Sequence, residues 1–424
     1  MSHPVTDTRR LNSVPRVAFL GDSLTNWTGG IDFLRLCISA LTSVSPGTTW
    51  NILVPGNKAM PQRIRAWAGL ARHRLKTLTG RKTYRAPGVS RTGLKDAITS
   101  AGARVEIVDY RDTASGLANA MRQCHADVLF PCANSLGGTF PLPWIGYIPD
   151  LQHKRLPHWF SQKDRRLRDR LFSRILADAP AVVVNSAAVI RDIEEFYPNH
   201  HATLFALPFC PPAKREFFLN ASDPDVCTTY HLPASYFMVS NQFWIHKSHE
   251  TAFMALRLVR DAGYDVHLVC TGNTRDSRWP EHFSNLNAII EKNKLGNSVY
   301  FLGVVPKGDQ LAIMRGSLGL VQPTLFEGGP GGGAVYDAVS TGTPSIVSDI
   351  PVNREIDIGV VRFFVAGSAE DLASKMIDMI VNPPQLLNGE EAFERLTLRQ
   401  QEFGNRLLEI LDFAVETYTC AKRG

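Results

Sequence analysis

Pro323-Thr324-Leu325-Phe326-Glu327-Gly328-Gly329-Pro330-Gly331-Gly332-Gly333-Ala334-Val335-Tyr336-Asp337-Ala338 follows the apolar run Leu318 to Val321 and leads into a helical period. The order is strand, glycine-rich loop, helix. Glycine lets backbone N–H groups come close to a bound group, and the first turn of a helix carries about half a positive charge, so such a loop suits a diphosphate. Glu327 is placed to meet sugar hydroxyls, and Asp337, ten residues on and inside the helix, to accept hydrogen bonds from a ribose diol. A plain surface loop is the simpler alternative, but it gives no reason for a carboxylate to head a run of five glycines.

Outward from this stretch, the second half of the chain alternates short apolar runs with amphipathic ones. Tyr236 to Val239, Val266 to Cys270, Val299 to Leu302, Leu318 to Val321 and Ser345 to Val347 read as buried parallel strands, with helices after Lys247, around Asn285 to Lys292, after Lys307 and after Gly333. The first half repeats the alternation without repeating the sequence: Val17 to Leu20, Asn51 to Val54, Val105 to Val108, Val128 to Phe130, Trp144 to Ile148 and Ala181 to Val184. After the first of these, Gly29-Gly30 precedes Ile31, Leu34, Ile38 and Leu41, which fall on one helical face. Asn185-Ser186 supplies a helix N-cap after the last.

A proline-rich stretch from Leu207 to Pro233 reads as the connection between the halves. The expected fold is α/β: two doubly wound, Rossmann-like domains facing each other across a cleft. Their expected extents are 1–212 for the first and 213–390 for the second, with helices in 391–424 packing back on the first domain. Ligands of such sheets bind at the carboxyl ends of the strands, which makes the cleft the default active site.

The bulk composition agrees. A chain of 424 residues exceeds the roughly 250–300 that one core serves, and 44% hydrophobic against 20% charged residues excludes a disordered chain. No stretch approaches the roughly 20 apolar residues of a membrane span, and Met1 to Pro15 lack the apolar centre of a secretory signal, so a cytoplasmic protein is expected. Seven scattered cysteines with no CxxC pairing fit a reducing compartment without structural zinc. Between Lys58 and Lys95 the chain carries Arg63, Arg65, Arg72, Arg74 and further cations with no acidic residue. This segment, 58–95, reads either as a solvated basic face or as a surface that holds an anionic membrane or phosphate-bearing lipid peripherally. Nucleic acid is not an expected partner, because no base-stacking or groove-reading motif accompanies the charge. Asp223-Pro224-Asp225 has a metal-binding form but lies in the proline-rich connection and reads as a surface turn. No nucleophilic serine motif and no Gly-x-Gly-x-x-Gly opening appear, which counts against a hydrolase or a nicotinamide enzyme.

Phe326-Glu327-Gly328, Asp337-Ala338, Gly342-Thr343-Pro344 and Ile346-Val347-Ser348-Asp349 together resemble the signature of the GT-B retaining glycosyltransferases of family four, also called group 1. In that signature two glutamates are separated by seven residues. Here the spacing is two residues longer and the second acid is Asp337. The resemblance implies transfer of a hexose from a nucleotide diphosphate sugar with retention, no metal or other cofactor, and a role in surface polysaccharide or lipopolysaccharide assembly on a glycan or lipid-linked acceptor.

It assigns further residues. Tyr236 to Lys247 is similar to the strand and loop that deliver a diphosphate-binding lysine, here Lys247, with Asn241 and Gln242 in the same loop and Gln242 where relatives commonly carry arginine. Gly303-Val304-Val305-Pro306 resembles the loop that holds the nucleobase through its backbone. Gly29 and Gly30 resemble the family's first glycine-rich loop. Ile145 to His153 resembles the strand end that carries His-Asp in many relatives; Pro149 replaces that histidine, Asp150 is kept, and His153 is the nearest imidazole for donor sugar or acceptor. The implied catalytic set is Glu327, Lys247, Asp150 and His153. The implied donor set is Gly29, Gly30, Asn241, Gln242, Val304, Val305, Gly328, Gly329, Gly331, Gly332, Gly333 and Asp337. Two alternatives share this scaffold: a nucleotide-sugar 2-epimerase, and a catalytically inactive glycosyltransferase-like module acting as a scaffold.

Overall fold

A computed structural model describes residues 14–21, 28–56, 103–211, 224–276, 278–385 and 389–423. The first domain opens with β1 (Val17–Leu20), α1 (Thr28–Val44), β2 (Thr49–Pro55), β3 (Arg104–Tyr110), α2 (Ala114–Gln123), β4 (Val128–Cys132) and β5 (Trp144–Ile148). It continues through α3 (Gln152–Arg155), α4 (Gln162–Asp178), β6 (Ala181–Val184), α5 (Ala187–Phe196) and β7 (Thr203–Ala206). The second begins with α6 (Pro224–Thr229), β8 (Tyr236–Ser240), α7 (His249–Asp261), β9 (His267–Thr271), α8 (His282–Lys292), β10 (Val299–Gly303) and α9 (Lys307–Arg315). It ends with β11 (Leu320–Gln322), α10 (Gly332–Thr341), β12 (Ser345–Ser348), β13 (Val361–Phe364) and α11 (Ala369–Val381), followed by the long α12 (Gly389–Arg423).

The seven-stranded sheet runs β3-β2-β1-β4-β5-β6-β7 and the six-stranded one β10-β9-β8-β11-β12-β13. All pairings are parallel. Each sheet reverses its winding once, between β1 and β4 and between β8 and β11, and those reversals are where such sheets open a crevice. Strands β1, β4, β5 and β6 are buried at every residue because helices cover both faces, which is why they read as unbroken apolar runs. The edge strands β7 and β13 escaped the sequence reading. Both are only half-buried for most of their length, so neither carries a clean apolar signal.

In α1, Phe33, Leu34, Cys37, Ile38 and Leu41 turn into the first core. Ser186 caps α5 through its side chain, which accepts from Val189 N. Pro224 opens the short helix α6 instead of standing in a turn, as its fixed φ and missing N–H allow at a helix start; Asp223 lies outside the described residues, as does the basic segment 58–95.

Helix α12 joins the two halves a second time. Leu396 is part of the second domain's core, whereas Phe403, Leu407, Ile410, Leu411 and Ala414 are buried in the first domain's core. Gly404 lets α12 pass close to α1, since a Cβ there would lie 2.5 Å from the carbonyl oxygen of Ala40.

Candidate active site

The carboxyl ends of β8 and β11 bring Lys247 and Glu327 together. Lys247 ends the 3-10 turn Ile245–Lys247 after β8, is nearly buried, and donates from Nζ to Glu327 Oε1. Gln322, the last residue of β11, fixes that carboxylate from the other side: its Nε2 lies 3.2 Å from Glu327 Oε1 and donates to Gly331 O at 2.9 Å. Gln322 is itself oriented by Asn241, whose Nδ2 donates to Gln322 Oε1. Asn353 Oδ1 accepts from Gly331 N at 2.9 Å, so Gly331 is held through both its N–H and its carbonyl.

Gly331 and Gly332 hold φ of +70° and +63°, in the left-handed region that glycine adopts without cost. A Cβ on Gly332 would lie 3.0 Å from the carboxyl carbon of Glu327. Glu327 therefore stands over the first turn of α10, where the helix dipole favours an anion. Lys247 and the start of α10 flank the same carboxylate, and both favour negative charge.

The first domain packs against the loop. Gly328 is pressed against Pro149 and Asp150; a Cβ on it would come 2.9 Å from Asp150 Cβ. Ser186 Oγ donates to Gly328 O at 2.9 Å. Asn185, beside Gly329, donates from Nδ2 to Pro149 O at 3.1 Å and accepts from Tyr147 OH at 2.8 Å. From the second domain, Glu355 places its two carboxylate oxygens on Ala187 N and Ala188 N, at 2.8 and 2.6 Å, with Arg191 3.3 Å away. A carboxylate of one domain thus caps helix α5 of the other.

Asp150 stands at this junction, with Oδ1 accepting from Gln152 N at 2.9 Å and Arg168 4.0 Å away. His153, expected to reach donor sugar or acceptor, is instead enclosed in the first domain. Its ring packs edge-on against Phe160 and Phe172, Nε2 lies 3.0 Å from Asp169 Oδ1, and 1% of the residue is exposed. Burial lowers its pKa against the opposing pull of Asp169. The cause is local: α3 begins at Gln152 and turns His153 inward toward α4.

Asp337 lies on α10, and both of its oxygens are 2.6 Å from Lys307 Nζ, with Gln310 Nε2 3.1 Å from Oδ2. Burial raises its pKa, and Lys307 and Gln310 work against that rise. Val304, beside the turn at Gly303, is exposed and Val305 half-buried. Gln242 Oε1 accepts from Asn273 N at 3.1 Å and braces the loop after β9. Gly29 and Gly30 lie in the first turn of α1. Gly333 sits one residue into α10 with open space where a Cβ would be.

Sequence reasoning missed Gln322, Lys307, Ser186 as an interdomain donor, and Glu355. Gln322 had one legible signal, an amide closing an otherwise apolar strand. Lys307 looked like any charged residue at a helix start. Among the described residues, no group of three or more His, Cys, Asp or Glu side chains is placed to hold a metal ion, and no helix is long and apolar enough to cross a membrane.

Residues 233–394, which span β8 to the start of α12, match the family model described as "Glycosyl transferases group 1". The match covers the second domain, well under half of the chain. The whole chain shares the GT-B fold with solved structures at low identity. The HepE protein of Anabaena in complex with UDP and glucose has 14% identity and a TM-score of 0.55, covering 97% of this chain and 100% of that one. A sucrose-phosphate synthase of Thermosynechococcus elongatus has 15% identity and a TM-score of 0.56, covering 96% and 98%. The lipopolysaccharide outer core galactosyltransferase WaaB in its apo form has 13% identity and a TM-score of 0.56, covering 93% and 99%. No curated protein matches the sequence. Within the matched residues, the loop that carries Glu327, the lysine turn before α7 and Glu355 all meet the first domain.

Proposed function

We propose that the chain transfers a hexosyl residue from a nucleotide diphosphate sugar to a glycan or lipid-linked acceptor, with retention and without a metal or other cofactor. The reading places it in the cytoplasm, serving surface polysaccharide or lipopolysaccharide assembly at the inner face of the membrane. The observation that carries it is the convergence of Lys247, Glu327 and the glycine-rich start of α10 where the carboxyl ends of the two sheets meet. HepE was solved with UDP and glucose, which supports a nucleotide-sugar donor, and WaaB is described as a lipopolysaccharide outer core galactosyltransferase, which supports hexosyl transfer.

On this reading the donor diphosphate takes over Lys247 and the first turn of α10, and Glu327 is released to the sugar hydroxyls. The acceptor hydroxyl attacks C1 from the face that the diphosphate leaves. The C1–O bond to the diphosphate breaks, a new C1–O bond forms, and the hydroxyl proton passes to the departing phosphate oxygen. Lys247 and the backbone amides stabilise the charge that grows on that phosphate, the principal electrostatic demand of the step. Asp337 binds the ribose, Asn241 holds Gln322 in place beneath the loop, the backbone near Val304 and Val305 meets the base, and Gly29-Gly30 allow the first domain's backbone to approach the phosphates. Asp150 stands on the acceptor side. Closure between the domains excludes water.

Thermal shift with UDP-, GDP- and dTDP-sugars tests the donor, since a ligand at a hundred times its Kd stabilises by about 2.7 kcal/mol. NMR of the product with the best donor then reads the anomeric configuration. A product of inverted configuration, or the absence of stabilisation by every nucleotide, refutes the reading; an epimerised free sugar formed without acceptor replaces it with the epimerase.

A further inference from the structure

Beyond Lys247, the junction between the domains holds two more cations that the donor chemistry does not use. Arg168, on α4 of the first domain, and Arg278, in the loop after β9 of the second, lie over the same ring. Their guanidinium carbons are 5.1 and 5.4 Å from the centre of Phe160. Arg278 also lies 5.8 Å from the Trp244 ring and reaches Gln152 of the first domain at 3.5 Å.

Stacking on an aromatic face leaves the N–H edges of a guanidinium free to bind. Among the described residues each arginine has only a loose carboxylate partner: Asp150 at 4.0 Å from Arg168, and Asp276 at 3.4 Å from Arg278. Both are about a third exposed. Two guanidiniums brought to one ring from opposite domains favour an anion that both can reach.

A second observation marks the same place. His246 is 4% exposed and its Nδ1 has no partner among the described residues, while its ring stands 6.3 Å from Trp159 of the first domain and 5.7 Å from Trp244. Lys247 and Arg278 are the cations beside it, so its surroundings are positively charged. Burial removes the positive charge from the imidazole and leaves a polar nitrogen beside two indole rings, a surface of the kind that sugar rings stack upon.

We infer that Arg168 and Arg278 form an anion clamp for the acceptor, so that the acceptor is a saccharide bearing a phosphate or carboxylate, with its sugar ring against Trp159 and Trp244. This inference rests on the glycosyltransferase reading and names the acceptor's chemistry within it. A phosphate or carboxylate gripped by both guanidiniums would tie the domains together only when acceptor is present.

The test titrates the UDP-saturated protein with glucose 6-phosphate, glucuronic acid, neutral glucose and phosphatidylglycerol vesicles, followed by ligand-observed NMR and vesicle sedimentation. The expected result is that glucose 6-phosphate and glucuronic acid bind about tenfold or more tightly than glucose, that added salt weakens them, and that Arg168→Gln and Arg278→Gln each weaken them by about tenfold. Arg278→Lys, which keeps the charge, restores part of the loss and shows that the site is folded. Arginine-dependent binding of vesicles alone also supports the clamp and places the anion on a lipid-linked acceptor; binding of soluble sugar phosphate places it on the saccharide. Equal affinity for glucose and its anionic forms, or binding of none of the four probes, overturns the inference. So does a parallel fall in UDP affinity in the two glutamine variants, which would put the arginines on the donor. Failure of the wild-type protein to bind UDP or any other nucleotide sinks the glycosyltransferase reading instead, a result separable from all of these.

Discussion

Replacing Glu355 with alanine removes the acceptor for two backbone N–H groups at the start of α5, Ala187 N and Ala188 N, and one partner of Arg191. Losing a capping side chain costs about 0.5–2 kcal/mol, and a carboxylate on a helix N-terminus contributes about 0.3–1 kcal/mol, more when partly buried. Ser186 still caps Val189 N in the variant, so helix α5 itself survives. What is lost is a contact between domains, because Glu355 belongs to the second and α5 to the first. A loss of about 1–2 kcal/mol moves an open–closed equilibrium by about 5- to 30-fold.

Small-angle scattering of the free protein reads this directly. Glu355→Ala should have the larger radius of gyration, with a saturating nucleotide sugar recovering part of the difference, and kcat/KM should fall by a comparable factor. Glu355→Gln keeps one acceptor oxygen without the charge and should lie between. Scattering curves that superimpose for wild type and Glu355→Ala, together with unchanged kcat/KM, would refute the idea that this carboxylate holds the domains together.

Four further outcomes follow from the same geometry. Lys247→Ala should lower kcat by about 10²- to 10³-fold with a smaller change in donor binding, and a kcat within threefold of wild type would remove the lysine from the chemistry. Gly332→Ala must hold a left-handed φ of +63° and displaces the Glu327 carboxylate, so it should lower both Tm and kcat/KM; unchanged kinetics would show that Glu327 need not stand there. Burial raises the Asp337 pKa and Lys307 restrains the rise. Its folded value then exceeds the unfolded one, so the folded state binds more protons and loses stability as pH rises through that window. Lys307→Met widens the window and should move the acid limb of donor binding to higher pH, whereas coincident limbs in the two proteins contradict the assignment. Leu407→Ala, at a fully buried position of α12, should cost about 2–5 kcal/mol in denaturant unfolding, and a cost near zero would mean that α12 does not seal the first core.

The parts of the fold that could be read from the residues were those set by local pattern. Strands β1, β5 and β6 match their apolar runs because each is buried on both faces, and the loop between Phe326 and Asp337 announces itself by its glycines. The half-exposed edges β7 and β13 have no such pattern. The turn that buries His153 depends on Asp169 and Tyr197, sixteen and forty-four residues away, and no local spacing encodes it. The contacts that join the domains are remoter still: Ser186 meets Gly328 across 142 residues and Glu355 meets Ala187 across 168. Lys307 and Asp337 are thirty residues apart and become neighbours only through the pairing of α9 with α10. A charge at a helix start has no legible partner until that packing exists.

Helix α12 leaves one domain's interior at Leu396 and enters the other's by Phe403. Any rocking of the halves must therefore be absorbed within about two turns of one continuous helix, as a leaf spring bends near its clamp. The same arrangement limits what recombination could do with this chain. A donor half cut away before its tail would leave its companion with an uncovered apolar face, so a new acceptor half would have to arrive together with a tail shaped to fit it.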